Sequence, residues 1–205
     1  MLMWHTSKKK NIILDRFTDK FRIVSAIFVT IGIFLTYTVF NNQNKNMKRE
    51  TTFKIIDRSW LGVNEKMVKY YNKCPHFIDT LYFDWQIKVM GKKSNLDVNE
   101  DWTSINFISN SIFQAWEDFI TASEVDETGE IVWINNFLQW SHSSLLRNIW
   151  NVLKTNYAHT TQEFGDYLFY MSSTYKCHNE NELNSLAKTL VDSEKFKQIM
   201  EKRFS

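Results

Sequence analysis

An apolar run extends from residue 23 to residue 40, IVSAIFVTIGIFLTYTVF, with no charged residue, Pro, Asn or Gln. A helix of this length measures about 27 Å, close to the roughly 30 Å hydrocarbon core of a bilayer. Arg22 can extend its side chain to the interface and make up the difference. The Ser and Thr hydroxyls of the run can bond to carbonyls of their own helix. The run therefore predicts a single transmembrane helix.

Two other interpretations of this run are a buried core helix and a cleaved signal peptide. A buried core helix usually has a polar side, and here Ser and Thr hydroxyls would have to provide it. A cleaved signal peptide needs a small-residue cleavage site, but NNQNKN follows the run, and the leader is long. The membrane anchor fits the pattern better than either alternative.

The charges that flank the run bear on its orientation. Six Lys and Arg residues precede it and five follow it within about 20 residues of its ends, which is nearly balanced under the positive-inside rule. Lys20 and Arg22 lie next to the membrane and favour a cytoplasmic N-terminus. The rest of the chain would then lie on the opposite face, which is luminal, exterior or inside a virion.

The run divides the chain into four predicted segments. Residues 1–22 form a basic, partly disordered leader, whose second half either lies along the membrane interface or begins the spanning helix. Residues 23–40 span the membrane, and residues 41–50 form a polar linker. Residues 51–205 form an aromatic-rich domain, long enough to bury a core of its own.

Beyond residue 50, apolar residues recur every three or four positions, which is typical of amphipathic helices. The chain has one Pro and five Gly, too few for a turn-rich β architecture. The pattern predicts an all-α domain of about six to eight short helices. A first helix ends near Cys74, a second runs from Pro75 to Gly91, and residues 91–100 form a polar loop.

The next helix has the most regular apolar stripe, beginning at Asn99 or Glu100. Ser104 and Ser109 fall off this stripe, and Trp116 is predicted to be a core residue. The stripe consists of Trp102, Ile105, Ile108, Ile112, Phe113, Trp116, Phe119 and Ile120.

Capping signals divide the C-terminal part of the chain. Residues 123–130 form an acidic turn before a short helix over residues 131–140, and residues 141–144 offer an N-cap to the next helix. Thr160 or Thr161 with Glu163 fits a capping box. The tail from residue 181 forms two short helices or one helix kinked at residues 192–193.

Composition excludes some classes of function. The formal net charge is only +2, so bulk electrostatics do not favour nucleic-acid binding. Cys74 and Cys177 are far apart and form neither a disulfide framework nor a zinc motif, so free thiols are expected. The eight Trp residues fit core packing.

No motif in the sequence predicts catalytic, cofactor-binding or metal-ligating residues. The five His lack metal-ligand spacing, and no Gly-rich phosphate loop occurs. Three weak pairings remain: Cys177 beside His178, the adjacent carboxylates Glu117 and Asp118, and His159 four residues before Glu163. These six residues and His142 are the polar candidates for a functional role.

Two groups of aromatic motifs occur between residues 55 and 170. The first group is Trp60, Lys69-Tyr70-Tyr71, Cys74-Pro75 and Leu81-Tyr82, and the second is residues 112–118, Trp140, Trp150, Lys154 and Tyr157. These motifs resemble a family of single-pass membrane proteins of nucleocytoplasmic large DNA viruses, which infect algae and other protists. The resemblance is strongest at Cys74-Pro75 and Phe113-Gln114 and does not include the leader. It implies a viral membrane or virion context and no known activity.

The sequence therefore favours a membrane-anchored structural or protein-interaction module, a component of a viral membrane or virion. Its expected partners are the lipid bilayer and either another protein or a second copy of the chain, with no nucleic acid and no cofactor. Two alternatives stay open: an anchored, hydrolase-like enzyme, and a small membrane effector that oligomerises. Gly32 and Thr36 are the small residues that could support helix association in the latter.

Overall fold

The computed structural model describes the backbone of residues 3–90, 99–122 and 127–202, and the side chains of residues 30–87, 99–122 and 130–202. The chain forms two compact units, Met1–Lys48 and Arg49–Ser205, called unit 1 and unit 2 below. The described residues contain nine α-helices and no strand, which confirms the all-α prediction.

Helix α1 (Met3–Tyr70) has a backbone that is helical through both the predicted leader and the predicted linker. Neither a disordered leader from residue 3 onward nor a break at residues 41–50 is present. No Gly or Pro occurs between residues 33 and 61, so nothing in that stretch interrupts the ladder of hydrogen bonds. Lys54 Nζ also donates to Glu50 Oε1 at 2.6 Å, a helix-stabilising pair.

Among the described residues, no helix is both long enough and apolar enough to cross a membrane. Only part of the predicted span, residues 23–40, has described side chains, because those of residues 23–29 are not described.

The C-terminal part of α1 begins the core of unit 2, and Ile56, Val63 and Met67 are buried there. A 3₁₀ turn (Tyr71–Lys73) follows, and α2 (Pro75–Thr80) starts at the proline, as predicted. The N-cap residue of α2, Cys74, makes no side-chain hydrogen bond to the first amides of the helix.

The predicted second helix is in fact two helices, because the chain breaks at residues 81–83 before α3 (Asp84–Met90). Phe83 N–H donates to Gln86 Oε1 at 2.9 Å. In a continuous helix this amide would instead donate to the backbone carbonyl four residues earlier. Thr80 Oγ1 donates to Phe77 O at 2.7 Å and closes the last turn of α2. The predicted polar loop falls mostly on residues 91–98, outside the described residues.

Helix α4 (Trp102–Thr121) has Asp101 as its N-cap, which accepts from Thr103 N–H at 3.1 Å. The predicted stripe is buried from Ile105 onward, but Trp102, the first residue of the helix, is 59% exposed. Ser104 is buried contrary to prediction and donates to Asp101 Oδ2 at 2.6 Å, and Ser109 is buried as well.

The remaining helices are α5 (Glu127–Ser141), α6 (Ser144–Leu153), α7 (His159–Thr174), α8 (Glu180–Asp192) and α9 (Glu194–Lys202), with a 3₁₀ turn (Lys154–Asn156) after α6. Helix α5 begins four residues earlier than predicted, and residues 123–126 of the predicted acidic turn lie outside the described residues. Ser143 caps α6, accepting from Leu146 N–H at 3.3 Å, as predicted. The tail forms two helices that pack on α5 and α7.

The predicted capping box of α7 is wrong. The N-cap residue is Ala158, which has no side-chain cap. Glu163 accepts instead from Lys202 Nζ at 2.9 Å, and Glu117 Oε1 accepts from Ala158 N–H at 3.1 Å. Glu117 of α4 therefore accepts the hydrogen bond at the start of α7 that a capping residue within α7 was expected to accept.

An aromatic cluster forms the centre of unit 2, and Trp116 is fully buried in it, as predicted. Its indole lies edge-on to Trp150, with ring centroids 5.5 Å apart. Trp150 Nε1 donates to Asp166 Oδ1 at 2.8 Å. Trp150 also lies against Gly165 of α7, where an added Cβ would be 2.7 Å from the indole Cε2.

We expect Gly165→Ala to destabilise the protein by about 1–3 kcal/mol, although Ala is the better helix former, because overpacking the indole of Trp150 outweighs the propensity gain of about 1 kcal/mol. Gly62→Ala is the matched control, since a Cβ there meets nothing within 4 Å. This control should be neutral or stabilising by up to about 1 kcal/mol. Chemical denaturation of both full-length variants gives the comparison, and equal effects would contradict the assigned packing.

Candidate functional site

A cleft of about 720 Å³ opens in unit 2 where four segments meet, and we call it the histidine cleft. The segments are α2, the break with the start of α3, the turn between α5 and α6, and the segment between α7 and α8. Its volume is within the range of small-molecule and side-chain binding sites. The lining residues are His76, Asp79, Thr80, Tyr82, Phe83, Asp84, Trp85, Ile87, His142, Ser143, Ser144, Cys177 and His178.

Two contacts hold α2 as one wall of the cleft. Glu100 accepts from the backbone amides of His76 at 2.9 Å and Phe77 at 3.2 Å, which supplies the N-terminal cap that α2 lacks. At the other end, Thr80 Oγ1 and Ser143 Oγ are 2.8 Å apart and hydrogen-bonded. The α5–α6 turn is therefore tied directly to α2.

Stacked rings form the aromatic part of the lining. The rings of Phe83 and His142 are stacked with centroids 4.0 Å apart and planes inclined by 13°. Phe83 also stacks on Trp85, at 5.8 Å and 11°. Phe83 lies in the break at residues 81–83. If α2 continued through these residues, the helix would point the ring of Phe83 in a different direction.

The imidazole of His142 is largely buried, and burial lowers its pKa below the usual value for histidine. Its hydrogen bonds with the Gln139 and Tyr82 backbones, and the charge of Asp84, act in the opposite direction but do not outweigh burial. Nδ1 is the atom in contact with Gln139 O. The neutral imidazole is thus the form that the fold favours.

Two aspartates supply the carboxylates of the lining. Asp79 Oδ1 accepts from the hydroxyl of Tyr71 at 3.5 Å. Burial, followed by the proximity of Asp79, raises the pKa of Tyr71. The described lining contains no Lys or Arg.

Cys177 and His178 lie in the lining together, but their environment does not activate the thiol. Burial raises the pKa of Cys177, and the charge of Glu182 raises it further. The thiolate is the nucleophilic form, so a raised pKa disfavours nucleophilic chemistry. The backbone amide of His178 donates to Glu182 Oε2 at 2.8 Å. Both Cys177 and Cys74 are free thiols, as expected.

The other polar residues singled out in the sequence lie outside the cleft lining and make structural contacts. Asp118 accepts from Ser59 Oγ of α1 and from Gln114 Nε2 at 3.0 Å. Glu117 caps the start of α7, and Glu163 is paired with Lys202, while His159 Nε2 is 3.6 Å from Glu163 Oε1. The adjacent carboxylates thus bind two different elements and do not act as a pair.

Three of the seven polar candidates lie in the cleft: His142, Cys177 and His178. Sequence reasoning missed His76 and the aspartates there, although Gln86 three residues after Phe83 was a local signal for a second helix start. Among the described residues, no group of three His, Cys, Asp or Glu is arranged to hold a metal ion. The arrangement is suited to binding a ligand through aromatic faces and carboxylates.

Comparisons of the chain with models of protein families, with curated proteins and with solved structures found no significant match in any of the three.

We expect the protein to lose stability in mild acid, because the folded state favours the neutral form of His142. Since its pKa is lowered in the folded state, the unfolded chain binds the proton more readily, and the stabilising contribution is complete only above the unfolded pKa of about 6.5. It is lost as the pH falls below that value. We expect His142→Phe, which keeps a ring on Phe83, to lose less stability than the wild type on acidification. Chemical denaturation at neutral and mildly acidic pH measures this, and an equal loss in both proteins would contradict the assigned environment.

Proposed function

We propose that the protein is a membrane-anchored protein-interaction module, in which residues 23–40 cross a bilayer and unit 2 binds a partner. The observation that carries the proposal is the exposure of every residue from 30 to 40 in α1. These eleven positions cover three turns, so apolar side chains project on all sides of the helix. The large apolar residues among them are Ile31, Ile33, Phe34, Leu35, Tyr37, Val39 and Phe40.

A helix that is apolar on all sides belongs in a protein core or in a membrane. Within unit 1 no packed core covers residues 30–40, since Phe34 is 68% exposed and Ile33 65%. A bilayer is the surrounding that matches this pattern, because lipid removes such side chains from water. The run also has no charged residue between positions 23 and 40.

The polar atoms of the run are compatible with lipid. Thr36 Oγ1 donates to Gly32 O at 2.8 Å, and Thr38 Oγ1 donates to Phe34 O at 2.9 Å. These hydroxyls therefore have partners within their own helix, as a hydrocarbon environment requires. Lys20 and Arg22 would lie at the cytoplasmic interface, and unit 2 on the opposite face.

The way in which unit 2 uses its polar groups supports an interaction role. The carboxylates of Glu117, Asp118 and Glu163 cross-link helices, and the thiol of Cys177 is not activated. The cleft is large enough for a side chain or a short segment of another protein. The resemblance to giant-virus membrane proteins supports a viral membrane or virion as the setting, and the net charge of +2 gives no support for nucleic acid as a partner.

We expect the full-length protein to stay in the membrane pellet after carbonate extraction. The double variant Ile31→Arg, Leu35→Arg should be released, because each Arg near the centre of a span costs about 2.5 kcal/mol or more for insertion. The same chain expressed in cells and fractionated gives the measurement.

Asn42→Arg, Asn46→Arg is the matched control, with the same charge and spacing on exposed positions just beyond the run. This control should remain in the pellet. Release of the control together with the test variant, or retention of both, would count against the anchor.

A further inference from the structure

Another cavity of unit 2, of about 390 Å³, is lined by α1, the break before α3, α3 itself, α5 and the start of α8. It shares Tyr82 and Trp85 with the histidine cleft, and its volume is within the range of small-molecule sites. Each described lining residue has an aromatic ring, a carboxamide or a carboxylate. We call it the amide pocket, after the carboxamides of Asn64, Gln86, Asn136 and Gln139.

Aromatic rings supply the apolar part of the lining. Trp60 packs edge-on against Trp133, with ring centroids 6.4 Å apart, and Trp85 is stacked on Phe83. The face of an aromatic ring carries negative partial charge, so it attracts C–H groups with a positive partial charge. A pyranose ring has such C–H groups on its faces and can therefore stack on these side chains. The four rings of the lining are Trp60, Tyr82, Trp85 and Trp140.

The polar groups of the lining are only partly used within the protein. Gln86 Nε2 donates to Gln139 Oε1 at 3.1 Å, which leaves the amide nitrogen of Gln139 as a donor. Asn64 Nδ2 donates to Trp60 O at 3.1 Å, which leaves the side-chain oxygen of Asn64 as an acceptor. Asn136 and Glu180 have no hydrogen-bond partner among the described residues.

These remaining groups include both donors and acceptors. Gln139 can donate, Glu180 can accept, and the carboxamide of Asn136 can do both. A hydroxyl group also donates and accepts, so a ring that carries several hydroxyls matches this set. A proline-rich peptide fits aromatic grooves too, but prolines lack the N–H and offer only carbonyl acceptors. Such a peptide would leave the carboxylate of Glu180 without a donor.

We propose that the amide pocket binds a pyranose sugar, with a face of the ring on the aromatic side chains and its hydroxyls hydrogen-bonded to Asn136, Gln139 and Glu180. Glu180 is exposed and the other two side chains are half-buried, so a ligand can reach all three. A free saccharide and the terminal sugar of a glycan share this chemistry. The inference goes beyond the proposed interaction role and does not depend on the membrane anchor.

Saturation-transfer difference NMR detects weak sugar binding. The full-length protein is kept in lauryldimethylamine oxide micelles, because this detergent has no sugar headgroup that could occupy the pocket. The probes are the methyl pyranosides of glucose, galactose, mannose and N-acetylglucosamine. We expect at least one of them to receive saturation, most strongly at the C–H protons of one ring face.

Sorbitol is the control probe, because it has the hydroxyls of a sugar but no ring to stack. It should receive much less saturation than the glycoside that binds. No transfer to any of the four glycosides, or equal transfer to sorbitol, would overturn the proposal.

Two further probes separate the possible ligands. Transfer to the free sugar but not to its methyl glycoside would support a free saccharide, and transfer to both would support the end of a glycan. Acetyl-tetraproline amide represents the proline-rich alternative. Transfer to this peptide without transfer to any glycoside would overturn the sugar site in favour of a peptide site.

Variants of two lining residues test the location. Asn136→Ala and Glu180→Gln should each weaken binding of the best glycoside by about two- to tenfold, the range of a single hydrogen bond. Asn151→Ala, at an exposed position of α6 outside the lining, is the matched control and should have no effect. Circular dichroism checks that each variant is folded.

Unchanged affinity in both pocket variants would overturn the proposal, and the two are independent because α5 and α8 carry one residue each. Failure of the membrane anchor would alter fractionation and leave the saturation transfer intact. The two hypotheses are therefore scored by separate measurements.

Discussion

The packing of Trp116 against three other helices is the interaction on which the rest of unit 2 depends. Its indole on α4 is in contact with Phe137 of α5, Trp150 of α6 and Phe169 of α7, with ring centroids 6.5, 5.5 and 5.6 Å apart. Because α5 and α6 both pack on this ring, the turn between them has one position relative to α4. That turn carries His142, so the central ring also fixes a wall of the histidine cleft.

Carboxylates that are distant in sequence complete helices that lack caps of their own. Neither α2 nor α7 has a side-chain cap from its N-cap residue, and Glu100 and Glu117 supply acceptors for their first amides. Each such contact gives an acceptor to a backbone amide at the start of a helix and places negative charge at the helix N-terminus. The fold thereby accounts for the carboxylates of Glu100 and Glu117.

The helical periodicity of apolar residues predicted much of this fold but little of the cleft, because the cleft depends on contacts between residues that are far apart in sequence. The stripe of α4 repeats over twenty residues, so the local pattern alone determines which face is buried, and only Trp102 and two small serines departed from it. The break at residues 81–83 depends on Gln86 and on the bond between Thr80 and Ser143, which are 63 positions apart. The capping box at Glu163 failed similarly, because Lys202 lies 39 positions away and competes for the carboxylate. The cleft combines four segments, and no window of sequence contains them.

Hydroxyl groups bond to carbonyls of their own helix in both units of this chain. Thr36 and Thr38 bond to carbonyls of their own helix in unit 1, and Ser111 and Thr121 do the same on α4 in unit 2, at 2.8–2.9 Å in all four cases. The difference lies in the apolar residues around them. On α4 they are confined largely to one buried face, whereas between residues 30 and 40 they project on every side. A helix with one apolar face can be completed by other helices of the same chain, whereas a helix that is apolar on all sides belongs in a protein core or in a bilayer such as the one proposed to surround residues 23–40.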